Sequence, residues 1–209
     1  MKIIIFGASG KQGQRLVDEA LERGHQVTAA VRDPSKVTRT HANLQVVRAD
    51  AFLPASVTEA VRGHDLVLNS IGPKAPGDEL VRAARALRSG MRSAGVNRLL
   101  VVGGAGSLEA SPGHLVLEHI PKEWKWIAQA HLEALEVYRS FHDIDWVYLS
   151  PAATLEPGVR TGRYRLGTDA LLSDTAGKSY LSMEDLAVVL LDEAGTPRHH
   201  RQRFTAVQG

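Results

Sequence analysis

A glycine-spaced turn set directly after the first apolar run limits the fold of this chain more than any other feature. Ile3-Ile4-Ile5-Phe6 is continuous and apolar, Gly7-Ala8-Ser9-Gly10-Lys11-Gln12-Gly13 follows, and Leu16, Val17, Ala20 and Leu21 then recur on one helical stripe that stops at Gly24. A short apolar run bounded by glycine predicts a strand, and the periodic stretch predicts a helix from about Lys11 to Arg23. In such a strand-turn-helix corner Gly7 permits the tight turn, Gly10 lets main chain approach a diphosphate, and Gly13 lets the helix pack close to the sheet. The first amides of the helix have no partner within it, and its positive dipole end faces the same point, so an anion is favoured there. Gly7, Ser9, Gly10, Lys11, Gln12 and Gly13 are therefore the expected cofactor-binding residues. A turn chosen only for its backbone geometry is the alternative.

The pattern continues along all 209 residues. Short β-rich runs at Ile3–Phe6, Val27–Val31, Leu44–Val47, Leu66–Leu68, Leu99–Val102 and Trp146–Leu149 alternate with helical patterns at Lys11–Arg23, Glu79–Ala94, Lys122–Phe141 and Met183–Glu193, before a last strand at Phe204–Val207. That alternation predicts an α/β fold of Rossmann type, a doubly wound and mainly parallel sheet with helices on both faces, in one domain spanning 1–209. After Pro151 the pattern turns irregular and glycine-rich. The segment 152–182 is expected either to cap the substrate side of the pocket or to be a purely structural loop.

Charge and composition narrow the function. The 25 basic and 23 acidic residues leave a net +2, too weak a field for nucleic-acid binding. The run Arg198, His199, His200, Arg201, Arg203 reads as a solvated loop before the last strand. Cysteine is absent, which removes thiolate catalysis and Cys-ligated metals. His199 and His200 are adjacent and would diverge, so no metal site is expected. No apolar stretch approaches the ~18 residues of a membrane span, and the amino-terminal run is too short for a signal-peptide core. A cytoplasmic protein, monomer or homodimer, with a small-molecule partner is the expectation.

Cofactor choice is read after the second strand, in Val31-Arg32-Asp33-Pro34-Ser35-Lys36. An acidic residue there would bind the ribose hydroxyls of NAD, whereas the Arg32 guanidinium can grip a 2′-phosphate, with Ser9, Lys11 and Lys36 as further donors. NADP(H) is preferred; Asp33 keeps NAD(H) possible. Asp50 either accepts from the adenine amino group or caps a turn.

Five stretches, namely Gly7-Ala8-Ser9-Gly10 with Gly13, Val31-Arg32-Asp33, Asn69-Ser70-Ile71-Gly72, Val101 to Leu108 and Trp146 to Pro151, together resemble the atypical short-chain dehydrogenase/reductase proteins of the NAD(P)H-binding type, a group with flavin-reductase-like and biliverdin-reductase-B-like members. The resemblance implies that Ser70, Gly72, Ser107, Pro151 and Ala152 surround the reacting ring. Without it, Gly103 to Ser107 is simply a flexible loop at a strand's carboxyl end. The better-known branch uses a Tyr-x-x-x-Lys pair, which does not occur here. Counting back from Trp146, its Lys position falls near His131 and its Tyr position near Ile127. His131 is accordingly read as an acid or a ribose contact, or as a half-buried packing residue on the stripe of Trp124, Ile127, Ala128 and Leu135. Tyr138 and His142 are read as packing and solvent-edge residues.

A dinucleotide site without a strong proton donor suits an acceptor that needs mainly hydride. The leading expectation is an NAD(P)H-dependent oxidoreductase acting on a planar acceptor such as a flavin, quinone or tetrapyrrole, with Ser107 and His131 as its catalytic residues. Trp124, Trp126, Tyr164 and the Gly158–Gly167 stretch are candidates either for stacking on that acceptor or for packing. A non-catalytic NADP(H) sensor is the alternative, and a nucleotide-sugar epimerase or dehydratase a third reading.

Overall fold

The computed structural model describes residues 1–209. The first apolar run forms strand β1 (Lys2–Phe6), and helix α1 (Lys11–Glu22) follows the glycine turn. Gly24, at φ 77°, ends that helix in the left-handed conformation, with His25 N–H donating to Ala20 O at 3.0 Å, a cap that glycine adopts without a Cβ penalty. Strands β2 (Gln26–Val31) and β3 (Leu44–Arg48) lead to helix α2 (Pro54–Val61), which the sequence reading missed. Its signal is short: a proline at the first position, where the missing N–H costs nothing, and Val57 and Val61 four residues apart. Strand β4 (Leu66–Asn69), helix α3 (Glu79–Ala94) and strand β5 (Arg98–Val102) then repeat the unit.

Beyond β5 a hairpin of β6 (Glu109–Ser111) and β7 (His114–Leu115) precedes the short helix α4 (Val116–His119) and the long α5 (Lys122–Arg139). Strand β8 (Asp145–Pro151) is followed by β9 (Thr154–Glu156), β10 (Tyr164–Gly167), β11 (Tyr180–Ser182), α6 (Met183–Gly195) and β12 (Gln202–Gln208).

Eight strands form one sheet in the order β10-β12-β8-β5-β4-β1-β2-β3. All pairings are parallel except that of β10 with β12. The chain runs outward from β1 to β3, then crosses back to β4 on the other side of β1. Carboxyl ends of strands on either side of that reversal splay their loops apart and leave a crevice.

Alternation of side chains along the strands divides the core into two layers. Ile3 and Ile5 of β1 pack beneath α1 and α6, while Ile4 and Phe6 pack beneath α2, α3 and α5. All four are essentially inaccessible, as continuous apolar strands covered on both faces must be. On the second face α2 and α3 approach so closely that a Cβ at Gly90 would lie 2.5 Å from Val57 Cγ1.

The segment 152–182 divides into parts with different roles, most of them structural, the second of its two readings. β9 and β11 pair with each other. Residues 157–163 strap across α1 and α6: Arg160 donates to both oxygens of the buried Glu19 at 2.7 and 2.9 Å, and Asp185 accepts from Thr161 N and Gly162 N at 2.8 Å. Tyr164 donates to Asp192 at 2.5 Å and packs on the first core layer. Burial first, then that carboxylate, push its phenol up to about 12. The Gly158–Gly167 stretch and Tyr164 thus brace helices and are not placed for stacking on an acceptor. Only Asp169–Leu171, bonded to Glu109, stands beside the loop that follows β5.

In the basic run Arg198, His200 and Arg201 are exposed, as a solvated loop requires, but His199 and Arg203 turn inward. Glu193, 4% exposed, accepts from the amides of Arg198 and His199, from the His199 ring at 2.7 Å and from Arg98 at 2.7 Å. His199 stacks on Phe204, and Arg203 is buried. Local composition carries no sign of these two inward turns, because Arg98 and Ser107, which help to hold them, are about a hundred residues away.

Because the Gly90 contact leaves no room for a methyl group, Gly90→Ala should lower unfolding free energy by roughly 1–3 kcal/mol. Chemical denaturation of Gly90→Ala checks this; an unfolding free energy equal to that of the native chain would show that the two helices can move apart at no cost.

Candidate functional site

At the carboxyl end of β1 the main chain turns through Gly7, at φ 77°, and enters α1 at Gly10. A Cβ on Gly13 would lie 2.1 Å from the Gly7 carbonyl oxygen, so only glycine lets the helix ride this low on the strand. Gly7 is crowded from the other side, because a Cβ there would meet the Ser70 backbone at 3.0 Å. The two approaches pin the mouth of the helix against the ends of β1 and β4. Gly10 N–H donates back to Gly7 O and Gln14 N–H to Gly10 O, at 2.9 Å each. The amides of Lys11, Gln12 and Gly13 between them have no main-chain partner, no side chain caps the helix, and no acidic residue lies in its first turn. Three free donors at a positive helix end form an anion cradle.

From this corner a cleft of about 350 Å³ runs over the ends of β2, β3 and β4. Gly7, Ser9 and Gly10 form one wall, Ser70, Ile71 and Gly72 the opposite one, and Arg32, Lys36, Ala51 and Phe52 the far end. The Arg32 guanidinium lies 5.9 Å from the Phe52 ring centroid, with that of Arg82 at 5.5 Å. Arg32 and Lys36 are exposed cations without an ion-pair partner. Asp33 is engaged elsewhere: its carboxylate accepts from Ser35 N at 3.1 Å and Ser35 Oγ at 2.7 Å, bonds that hold it below the usual carboxylate range.

In the other direction from β4 the sheet continues to the ends of β5 and β8. The loop after β5 is tightly packed, contrary to its reading as flexible. A Cβ on Gly103 would overlap the Tyr148 ring at 2.0 Å, one on Gly104 would lie 2.9 Å from His131 Cβ and Cγ, and one on Gly106 would lie 2.7 Å from Ala128 Cβ. The three glycines let β8 and α5 close on the loop. His131 donates or accepts through Nδ1 at 3.1 Å from the Tyr148 hydroxyl, which itself donates to the His131 carbonyl at 3.0 Å. Burial pulls the His131 imidazole down to about 4 and pushes the Tyr148 phenol well above its ordinary value. At neutral pH both are uncharged.

The residues expected from sequence fall into three groups. Gly7, Ser9, Gly10, Arg32, Ser70 and Gly72 line the cleft together. Lys11 stands exposed at the helix mouth, Gly13 supplies its packing, and Pro151 and Ala152 close β8 in buried positions. Four expectations need correction. The Gln12 side chain turns from the cradle to donate to Met183 O at 2.9 Å, so only its main-chain amide faces an anion. Asp50 shapes a turn, accepting from Phe52 N at 2.9 Å. Ser107, 5% exposed, spends its hydroxyl on Ser150 at 3.1 Å and on Gly104 O at 3.4 Å, while Arg203 donates to its carbonyl at 2.9 Å. It holds the loop from beneath and does not face a reacting ring. His131 is not charged to give a proton near neutrality.

Phe52, Lys74 and Tyr148 were missed. Phe52 and Lys74 carry no motif of their own and reach the cleft through turns. Tyr148 sat inside an apolar strand pattern, where a tyrosine reads as core.

Residues 7–197 match the NAD(P)H-binding family. YwnB of Bacillus subtilis is 42% identical over 214 residues, covering 99% of this chain and 98% of its own length. Among solved structures, one from Bacteroides thetaiotaomicron named "putative epimerase" is 41% identical at a TM-score of 0.93, over 99% of this chain and 96% of its own. Another from Streptococcus pneumoniae, named "putative NADH-flavin reductase", is 29% identical at a TM-score of 0.87 over the whole of both chains.

The depressed His131 value has a signed consequence for stability. The folded protein binds this proton only near pH 4, whereas the unfolded chain takes it up near the ordinary histidine value of 6.5. Stability contributed by the neutral ring is complete above 6.5 and is lost as pH falls toward 4, by up to roughly 3 kcal/mol. Tyr148, the titratable group that faces the ring, keeps its proton throughout. Urea unfolding at pH 7 and 4.5 should therefore show a smaller loss for His131→Gln than for the native chain.

Proposed function

This chain belongs to the NAD(P)H-binding family, and on that premise we propose that it is an NADPH-dependent oxidoreductase delivering hydride to a planar acceptor such as a flavin, quinone or tetrapyrrole. The observation that carries the cofactor choice is the pairing at the end of β2. Arg32 and Lys36 reach the cleft as free cations, while the neighbouring carboxylate of Asp33, which would suit a ribose 2′-hydroxyl, is tied to Ser35. A guanidinium presented this way binds a 2′-phosphate through two charge-assisted bonds. Ser9 lines the same corner and adds a hydroxyl.

Bound NADPH would supply the hydride. The chain's own part is to bind, orient and shield. The free amides of Lys11, Gln12 and Gly13 hold the diphosphate; Gly72 and Ser70 border its path; the packed loop Gly103–Ser107 fixes the floor beyond it. Orientation of this kind contributes much of the barrier lowering when two rings need only meet face to face.

No group at this end of the crevice is placed as a strong acid. His131 is neutral, and the Tyr148 and Tyr138 hydroxyls are buried with phenols raised by burial. That favours hydride acceptors whose product takes its proton from water. It disfavours epimerase or dehydratase chemistry, which needs a proton donor at the substrate, although one relative carries an epimerase name. A cytoplasmic location is part of this proposal; no helix is long and apolar enough to cross a membrane.

Purified protein with NADPH and FMN, followed by the absorbance of the reduced nicotinamide, should show turnover. Tight NADPH binding without turnover on flavins, quinones or biliverdin-like acceptors would instead identify a sensor. Arg32→Ala should weaken NADPH binding roughly ten- to a hundredfold and leave NADH nearly unchanged; equal losses would remove the 2′-phosphate assignment.

A further inference from the structure

The β5 loop carries a polar arrangement that the proposed function does not use. Tyr148, on β8, is 1% exposed, and its hydroxyl meets only His131, at both the ring and the carbonyl. A phenol has one proton. Since it donates to the His131 carbonyl at 3.0 Å, the contact at 3.1 Å with Nδ1 requires Nδ1–H to be the donor. In a neutral imidazole the other nitrogen is then bare. That nitrogen, Nε2, has no hydrogen-bond partner and, unlike Gln12 Oε1 or Arg203 Nε, is not sealed from solvent. The ring is held in place by Gly104, whose Cα approaches so closely that a Cβ would lie 3.0 Å from His131 Cδ2, the atom next to Nε2. A lone pair of fixed direction therefore stands beside Gly104, at the carboxyl end of β5, two strands along the sheet from the anion cradle at β1.

We infer that Tyr148 is a positioning residue that locks His131 in its Nδ1–H tautomer, so that Nε2 offers a hydrogen-bond acceptor to a hydroxyl or ring N–H of the bound ligand. The inference rests on the dinucleotide reading of the crevice. It changes the part played by His131 from a proton source to an acceptor that orients and selects. Two ligand groups have the required chemistry: a hydroxyl of the nicotinamide ribose, or an N–H on the ring of the electron acceptor. Burial serves this role, because a ring that stays unprotonated keeps its lone pair at every pH where the protein works.

The test is nitrogen NMR of the full chain with 15N-labelled histidine, the His131 signals being assigned by their loss in His131→Gln. At pH 7 the free protein should show a protonated Nδ1 and a bare Nε2. A protonated Nε2 would overturn the inference. Saturating NADP+ should then move Nε2 in the direction of an accepted hydrogen bond, whereas 2′,5′-ADP, which lacks the nicotinamide ribose, should not. If NADP+ leaves the signal still and added FMN moves it, the donor is the acceptor's ring. No movement with either ligand rejects the inference. Calorimetry with NADP+ separates this from failure of the underlying reading: absence of any binding heat sinks the dinucleotide site, while binding with a still His131 signal sinks only the present inference. Tyr148→Phe keeps the ring that packs on Gly103. It should mix the two tautomers and weaken whichever ligand moves the signal roughly three- to tenfold, the worth of one neutral hydrogen bond. A folded Tyr148→Phe protein with the native tautomer and affinity would overturn the positioning role.

Discussion

The contact on which the rest of the site depends is the one between Gly13 and the Gly7 carbonyl. With the missing Cβ only 2.1 Å from that oxygen, α1 sits as low on β1 as a helix can. Its first three amides then emerge at the carboxyl edge of the sheet, at the point where strand order reverses between β1 and β4. Those amides cannot be satisfied from within the helix, and water or an anion must meet them. Everything else in the cofactor half of the cleft is arranged around that fixed deficit. The Ser70 main chain closes on Gly7 from one side, and the end of β2 supplies cations from the other.

A second set of close approaches governs the reactive half. Gly103, Gly104 and Gly106 lack side chains because Tyr148, His131 and Ala128 occupy the space. Dense packing of this kind excludes water and raises the cost of charging any group it encloses. His131 and Tyr148 are both kept neutral by it, and Ser107 is drawn beneath the loop by Ser150 and Arg203. The residues that resemblance placed at the chemistry are therefore present but are held as hydrogen-bonding and packing groups. A site of this composition can orient two rings and cannot easily deliver a proton.

Charged residues in the carboxyl-terminal third serve the architecture. Glu19 and Asp185 receive the strap 157–163, Glu193 gathers Arg98 and His199, and Arg203 joins Asp169 to the β5 loop. Each is a buried or half-buried ion with several hydrogen bonds, the condition under which burial of charge is tolerated. Their common effect is to bind α6 and β12 to the Rossmann core without adding to the crevice.

The sequence by itself determined the strand and helix alternation, the parallel sheet, the glycine corner and the place of Arg32. These follow from local spacing: apolar runs and helical stripes have fixed periods, and a glycine corner is written within seven consecutive residues. Even the cap at Gly24 was legible, because a left-handed residue after a helical stripe has few other occupants. Only the tertiary structure decided that Gln12 turns toward α6, that Asp33 is spent on Ser35, that Ser107 lies under its loop and that Tyr148 fixes a histidine 17 residues away. Which partner a polar side chain takes depends on what packing brings within about 3 Å of it, and a linear pattern records the need for a partner without recording which one arrives.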